Sequence, residues 1–311
     1  MTIARKEIVL DGANGIYHCT SRCVRRAFLC GFDVLSGKSF DHRKELIKER
    51  LKFLVGIFTI DVLDYAIMSN HGHYLLRVLS EICSGLSDKE VAERWLMLYP
   101  KKGATAKFHI ELLSRNKSRV KVLRKRLQSV SWFMKSLNEY IARVANKEDD
   151  CKGRFWEGRF KCQKIVDEAG LAACSIYINL NPIRAKVAKT PEESKFTGAY
   201  ERIHFKGTWL PPIDINKNKN GYLNMTENEY LALLDWTGRQ IVMGKRGAIP
   251  RNLKGILERL KIKDDSWVDT TKHYGKWYCH VVSRYEEMKQ FVKRTKRAWC
   301  KGLSAARVSF C

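Results

Sequence analysis

His71-Gly72-His73 sets two imidazoles two residues apart. Side chains of an extended chain alternate faces with a period of two, so both rings leave the same face. A pair held that way can grip one divalent ion. The second stretch with chemical potential is Tyr177-Ile178-Asn179-Leu180-Asn181-Pro182-Ile183-Arg184. On a helix, residues four apart share a face, which brings the Tyr177 phenol and the Asn181 amide together. A core tyrosine beside a helix-ending Asn-Pro accounts for the same spacing without chemistry, whereas Arg184 and Lys186 just beyond it favour a site. The third stretch interleaves five bases between residues 152 and 164 with Phe155, Trp156 and Phe160. Cations meet phosphates while rings stack on unpaired bases, so this pattern suits a nucleic-acid strand. It equally suits a strand with aromatics inward and bases in water.

The elements that must hold these residues can be read from periodicity. Residues 16–22 form a first strand after Gly12 and Gly15, and 43–58 form an amphipathic helix through Leu46, Ile47, Leu51, Leu54 and Val55. Residues 59–68 and 73–79 are two neighbouring strands separated by the polar SNHGH. Ser87 with Glu90 three residues on is a capping-box pattern that opens a helix near 87–98. From Arg115 to Lys135 there are eight basic residues and no acidic one over a helical apolar stripe, which predicts one long helix with a cationic outer face. A strand at 159–166 then precedes a helix from Asp167 to Leu180, ended by Pro182.

Composition sets the partner class. The chain has 311 residues and 58 Lys+Arg against 33 Asp+Glu, a formal charge of +25. Such an excess attracts polyanions at long range, and nucleic acid is the first expectation. No apolar run approaches the roughly 18 residues of a membrane span, the best being six residues at 53–58, and the N-terminus lacks the pattern of a signal peptide. A cytoplasmic, nucleoid-associated protein is expected. Ten cysteines show no C-x-x-C spacing, so they are expected to be reduced and mostly buried. Pro, Asn, Gly and Lys crowd the stretch around 207–224, and helical patterns follow it. The expected division is a catalytic domain over 1–210, a linker over 211–226 and a basic helical accessory domain over 227–311.

Taken together the segments resemble the HUH single-strand transposases that use one tyrosine, especially the REP-associated tyrosine transposase-like proteins. Four pieces carry the resemblance, in order: IYHCTSRCVRRAF at 16–28, MSNHGHYLLRV at 68–78, GRFWEGRFK at 153–161 and YINLNPIRA at 177–185. It covers roughly residues 10–205. The resemblance implies an α+β fold with a ferredoxin-like core, an antiparallel sheet with packed helices carrying the HUH motif, to which this chain adds a small α-rich C-terminal appendage. It also implies that His71 and His73 ligate Mg²⁺ or Mn²⁺, with Asn181 completing the protein ligands, and that Tyr177 is the nucleophile. Mn²⁺ suits imidazole nitrogen better than Mg²⁺ does.

The implied activity is nicking and strand transfer on single-stranded or hairpin DNA through a 5′-phosphotyrosine, as in DNA transposition. Arg22, Arg25, Arg26, Arg154, Arg159, Lys161 and Arg184 are the candidate phosphate or base contacts, with Trp156 as the stacking candidate. Monomer and homodimer both remain open. One residue departs from the family: a bulky hydrophobe usually stands between the histidines, and here it is Gly72. Its loss removes roughly 1.5–3 kcal/mol of burial unless Tyr74 or a neighbour fills the space. A domesticated derivative that binds hairpin DNA or RNA without cutting it is the alternative function.

Overall fold

The alternating apolar residues around the histidine pair form strands in the computed structural model of this chain. It describes residues 5–9, 13–24, 30–33, 37–103, 105–205, 207–213, 222–243 and 250–310. The main sheet contains β1 (Gly15–Arg22), β2 (Ile60–Ile67), β3 (His71–Val78), β4 (Lys161–Ile165) and β5 (Val281–Val282), in the order β2-β3-β1-β4-β5. β3 pairs antiparallel with both β1 and β2, and β4 pairs antiparallel with β1. With α1 (His42–Ile57) crossing from β1 to β2 and helices crossing from β3 to β4, this is the β-α-β-β-α-β plan of a ferredoxin-like core. The fold is α+β, as expected.

Alternation divides the sheet into two faces with different tasks. Tyr17 and Cys19 of β1, Val62 and Tyr65 of β2, and Tyr74 and Leu76 of β3 pack with Ile47, Leu51 and Leu54 of α1. The same cluster holds Phe133, Met134 and Leu137 of α4 (Val130–Glu148), whose Asn138 side chain donates to the Ser21 hydroxyl of β1 at 2.8 Å. On the other face, Ile16, Leu75 and Ile165 pack with α5 (Glu168–Asn179). Ten of the twelve residues of α5 are buried, consistent with a helix that is apolar all round. Asp167 starts it by accepting the Gly170 N–H, and the other Asp167 oxygen accepts from Ser283 and Arg284.

The structure departs from periodicity in three places. α2 (Asp88–Leu98) has its Ser87/Glu90 capping box, but the long cationic helix is broken into α3 (Lys117–Leu127) and α4. Asn116 caps α3 by accepting the Arg119 N–H, and the Thr59 N–H just ahead of β2 takes the Leu127 carbonyl at 2.9 Å. That carbonyl has a strand-edge partner, and Ser129 turns extended before α4 begins. The cationic face also has counter-charge from outside the run, since Asp88 pairs with Lys117 and Arg124. Second, β3 begins at His71 and not at 73, so SNHGH supplies only a short turn before both histidines enter the ladder. Third, Pro182 sits inside a further helical turn, Asn181–Arg184, whose first turn tolerates its missing N–H.

The C-terminal region is helical, with α6 (Glu227–Met243), α7 (Trp267–Trp277), α8 (Tyr285–Arg294) and α9 (Leu303–Ser309). Tyr230 and Leu233 of α6 and Trp267 and Tyr274 of α7 share the apolar cluster of α5. β5, between α7 and α8, adds a parallel edge strand against β4. Among the described residues no helix is long and apolar enough to cross a membrane.

Candidate active site

His71 and His73 leave β3 toward α5, as a period of two requires, and Tyr177 meets them from the last turn of α5. The His71 and His73 ring centroids are 4.9 Å apart, and the Tyr177 ring stands edge-on to His73 at 5.7 Å. The three side chains line one cleft of about 350 Å³ with Thr20, Arg22, Glu157, Gly158, Arg159 and Lys161. Register explains the meeting: Arg22 lies opposite His71, and Thr20 opposite both His73 and Lys161. Residues far apart in sequence thus converge at one end of three neighbouring strands.

Hydrogen bonds fix which imidazole nitrogens are free. The Gln163 side-chain oxygen can only accept, so His18 donates to it from Nδ1 at 2.8 Å. His18 Nε2 must then accept from His73 Nδ1, 2.9 Å away, which leaves a lone pair on His73 Nε2. That atom is buried and has no hydrogen-bond partner. His71 likewise donates from Nδ1 to the Asn70 side-chain oxygen, leaving its Nε2 free. Burial holds all three rings neutral: His18 and His71 are lowered to about 4, and His73 falls well below the usual histidine range. Neighbouring charge adds to the burial at His71 through Arg22, and at His73 through Arg184 and Arg22, while His18 and His71 beside it would repel a second proton. Two neutral imidazoles with free Nε2 atoms fit a divalent ion. Among the described residues no three His, Cys, Asp or Glu side chains cluster closely enough to hold one by themselves.

The low histidine values have a consequence for folding. Between about pH 6.5 and 4 the unfolded chain binds protons at His18 and His71 that the folded chain refuses. Stability is therefore fully present above pH 6.5 and declines as pH falls toward 4, with His18 alone contributing on the order of 3 kcal/mol over that range. Urea unfolding at pH 7, 6 and 5 checks this against His18→Asn, which should show a shallower decline; parallel curves would contradict it.

Tyr177 is packed on several sides. Tyr274 stacks on its ring at 4.7 Å, and the Arg184 guanidinium lies 5.0 Å from the ring centroid. A Cβ on Gly275 would stand 2.6 Å from the Tyr177 hydroxyl, so glycine leaves that oxygen its room. Burial pushes the phenol up from its ordinary value, while Arg184 works in the other direction. Asn181 donates its amide N–H to the Tyr177 carbonyl at 2.8 Å, which leaves its side-chain oxygen free. Arg154 is exposed and stands outside the cleft lining. Trp156 is half-buried, donates its indole N–H to the Asn138 carbonyl and packs edge-on against Phe155. Arg25 and Arg26 lie outside the described residues.

Gly72 is not a hole. Residues 72 and 74 point to the same face, and the Tyr74 ring folds back so that its Cζ lies 2.6 Å from where a Gly72 Cβ would be. Tyr17 covers Gly15 in the same manner. An aromatic two residues on can shield a strand glycine, and here it replaces the missing hydrophobe.

The tyrosine helix is fixed from below by a group that periodicity does not reveal. A β-bulge between Val62 and Asp64 turns Leu63 and Asp64 toward the same side of the sheet. The buried Asp64 carboxylate accepts from Ser175 at 2.6 Å, from Asn179, and from Tyr230 at 3.3 Å. Asn179 Oδ1 in turn accepts the Ala199 N–H at 2.8 Å. Ser175 and Asn179 flank Tyr177 on α5, so this network sets the helix's position over the sheet. His18 carried a weak signal, because it shares a strand face with Ile16 and Thr20; Gln163, Tyr274 and Asp64 carried none.

No family model matches the chain, and no curated protein matches it. Among solved structures it is similar to that of a REP-associated tyrosine transposase bound to a REP hairpin. The two are 11% identical with a TM-score of 0.41, and the alignment covers 73% of this chain and 100% of the other.

Proposed function

We propose that this protein nicks and rejoins single-stranded DNA through Tyr177 at hairpin-flanked sites. The observation that supports it most is the convergence of Tyr177 and a pair of neutral imidazoles in one cleft rimmed by Arg22, Arg159 and Lys161. Those three cations would hold the phosphates on either side of the cut. His71 and His73, with the Asn181 amide oxygen, would hold Mg²⁺ or Mn²⁺, which supplies positive charge to polarise the scissile phosphate.

The protein's own part of the reaction follows from the packing. The Tyr177 oxygen attacks phosphorus, a P–O bond to tyrosine forms, and the bond to the 3′-oxygen breaks. The phenol proton leaves into the open cleft, and the departing 3′-oxygen takes one up. The charge balance of a phosphodiester is retained in the 5′-phosphotyrosine, so a 3′-hydroxyl can reverse the step without ATP. Arg184 favours the ionised phenol, and Tyr274 limits the ring's orientations. His18 and Gln163 keep the lone pair of His73 pointed away from the sheet.

One observation favours the second reading, binding without cutting: burial alone makes Tyr177 a reluctant acid. The test that separates them incubates the full chain with end-labelled hairpin DNA and Mg²⁺ or Mn²⁺, then looks for a denaturation-resistant adduct by mass spectrometry. An adduct on Tyr177 is the expected result. Tight binding with no adduct in either metal would leave a hairpin-binding protein.

A further inference from the structure

Of the eight tryptophans, all among the described residues, Trp299 alone is exposed, at 60%. Tryptophan is on average one of the most heavily buried side chains. It stands in a run, residues 288–301, with six basic residues and no acidic one. Lys289 pairs with Glu286 and Arg297 with Glu7. Lys293, Arg294, Lys296 and Lys301 are exposed and have no acidic partner among the described residues. Trp299, Lys296 and Lys301 line a hollow of about 770 Å³ beside His280.

The hollow lies at the β5 edge of the sheet. The His280 carbonyl accepts the Lys164 N–H of β4, and the first residue of β4, Lys161, lines the Tyr177 cleft. β5 is two strands from β1, or about 10 Å at the usual strand spacing. A partner that suits this place needs flat apolar faces and regularly spaced negative charge. An apolar protein surface would meet a cationic rim, and duplex DNA would offer no free base face to the indole.

We propose that this hollow is a second contact for single-stranded DNA, outside the cleft. An unpaired base stacks on Trp299, while Lys296 and Lys301 take the flanking phosphates. The contact requires no cutting and holds whether or not Tyr177 reacts.

The test uses the full chain carrying Tyr177→Phe, so that no DNA is consumed. Fluorescence anisotropy measures binding of an oligo(dT) of about 20 nucleotides and of a blunt duplex of similar length across a salt series. Trp299→Ala should weaken oligo(dT) binding by about five- to a hundredfold and leave duplex binding within about twofold, and Trp299→Phe should recover most of the loss. Replacing Lys296 and Lys301 by Ala should lower the slope of log Kd against log salt by about 1.4, since each single-strand contact contributes about 0.7. Unchanged oligo(dT) affinity in Trp299→Ala overturns the inference, and so does an equal loss on duplex. Dissociation of a dimer by Trp299→Ala with DNA affinity unchanged would assign the surface to a second copy and overturn it too. A missing Tyr177 adduct in the wild-type chain would remove the cutting reading and leave this one standing.

Discussion

Tyr177→Phe should abolish the proposed covalent adduct and lower strand cleavage at least about a thousandfold, because the only atom removed is the one proposed to bond phosphorus. Hairpin affinity should stay within about twofold, since the phosphate contacts are assigned in this proposal to the cations of the cleft. The fold is barely touched: the phenyl ring keeps its stack on Tyr274 and its place beside Arg184. Gel separation of labelled DNA after denaturation, run beside a binding titration on the same preparation, reads both quantities. Cleavage that persists in Tyr177→Phe would mean that water attacks, making the protein a hydrolytic nuclease with a tyrosine neighbour. Loss of binding together with cleavage would mean that the hydroxyl is structural.

Asp64→Ala should cost about 1–3 kcal/mol of stability, the range for depriving buried donors of their acceptor. The carboxylate is 1% exposed and accepts from Ser175, Asn179 and Tyr230. Alanine leaves those donors only one another and the Ser175 carbonyl as acceptors, so one buried donor is left over, and an unsatisfied buried group costs about 1–3 kcal/mol before relaxation. Ser175→Ala deletes one donor and leaves the acceptor satisfied, so its cost should be near 1 kcal/mol. Urea denaturation measures both. A loss below about 1 kcal/mol in Asp64→Ala would show that α5 is held by apolar packing alone.

The parts of the site that could be read from the sequence are those governed by local periods. A period of two puts His71 and His73 on one face, and the Ser87/Glu90 capping box starts α2 where its pattern demands. The amphipathic stripe of 43–58 gives α1 within a residue at each end. What stayed hidden depends on register between distant segments. His18 is important because β1 lies beside β3, and Asp64 because one extra residue in β2 rotates it toward α5. The break between α3 and α4 comes from a hydrogen bond donated by Thr59, which no helical pattern around 128 contains. Val281 and Val282 pair with β4 over two residues, too short a run to stand out among helices.

Gly275 and Tyr274 are made nearly a hundred residues after the tyrosine they enclose. On the ribosome, the histidine pair and α5 emerge while the wall behind Tyr177 does not yet exist. Until α7 and β5 arrive, the phenol lacks its stacking partner and one edge of the sheet is bare. A chain stopped within that interval carries most of the positive charge and both histidines, with the Tyr177 hydroxyl unrestrained. The histidines and most cations of the cleft are made early in synthesis, and the packing that orients the Tyr177 oxygen comes late.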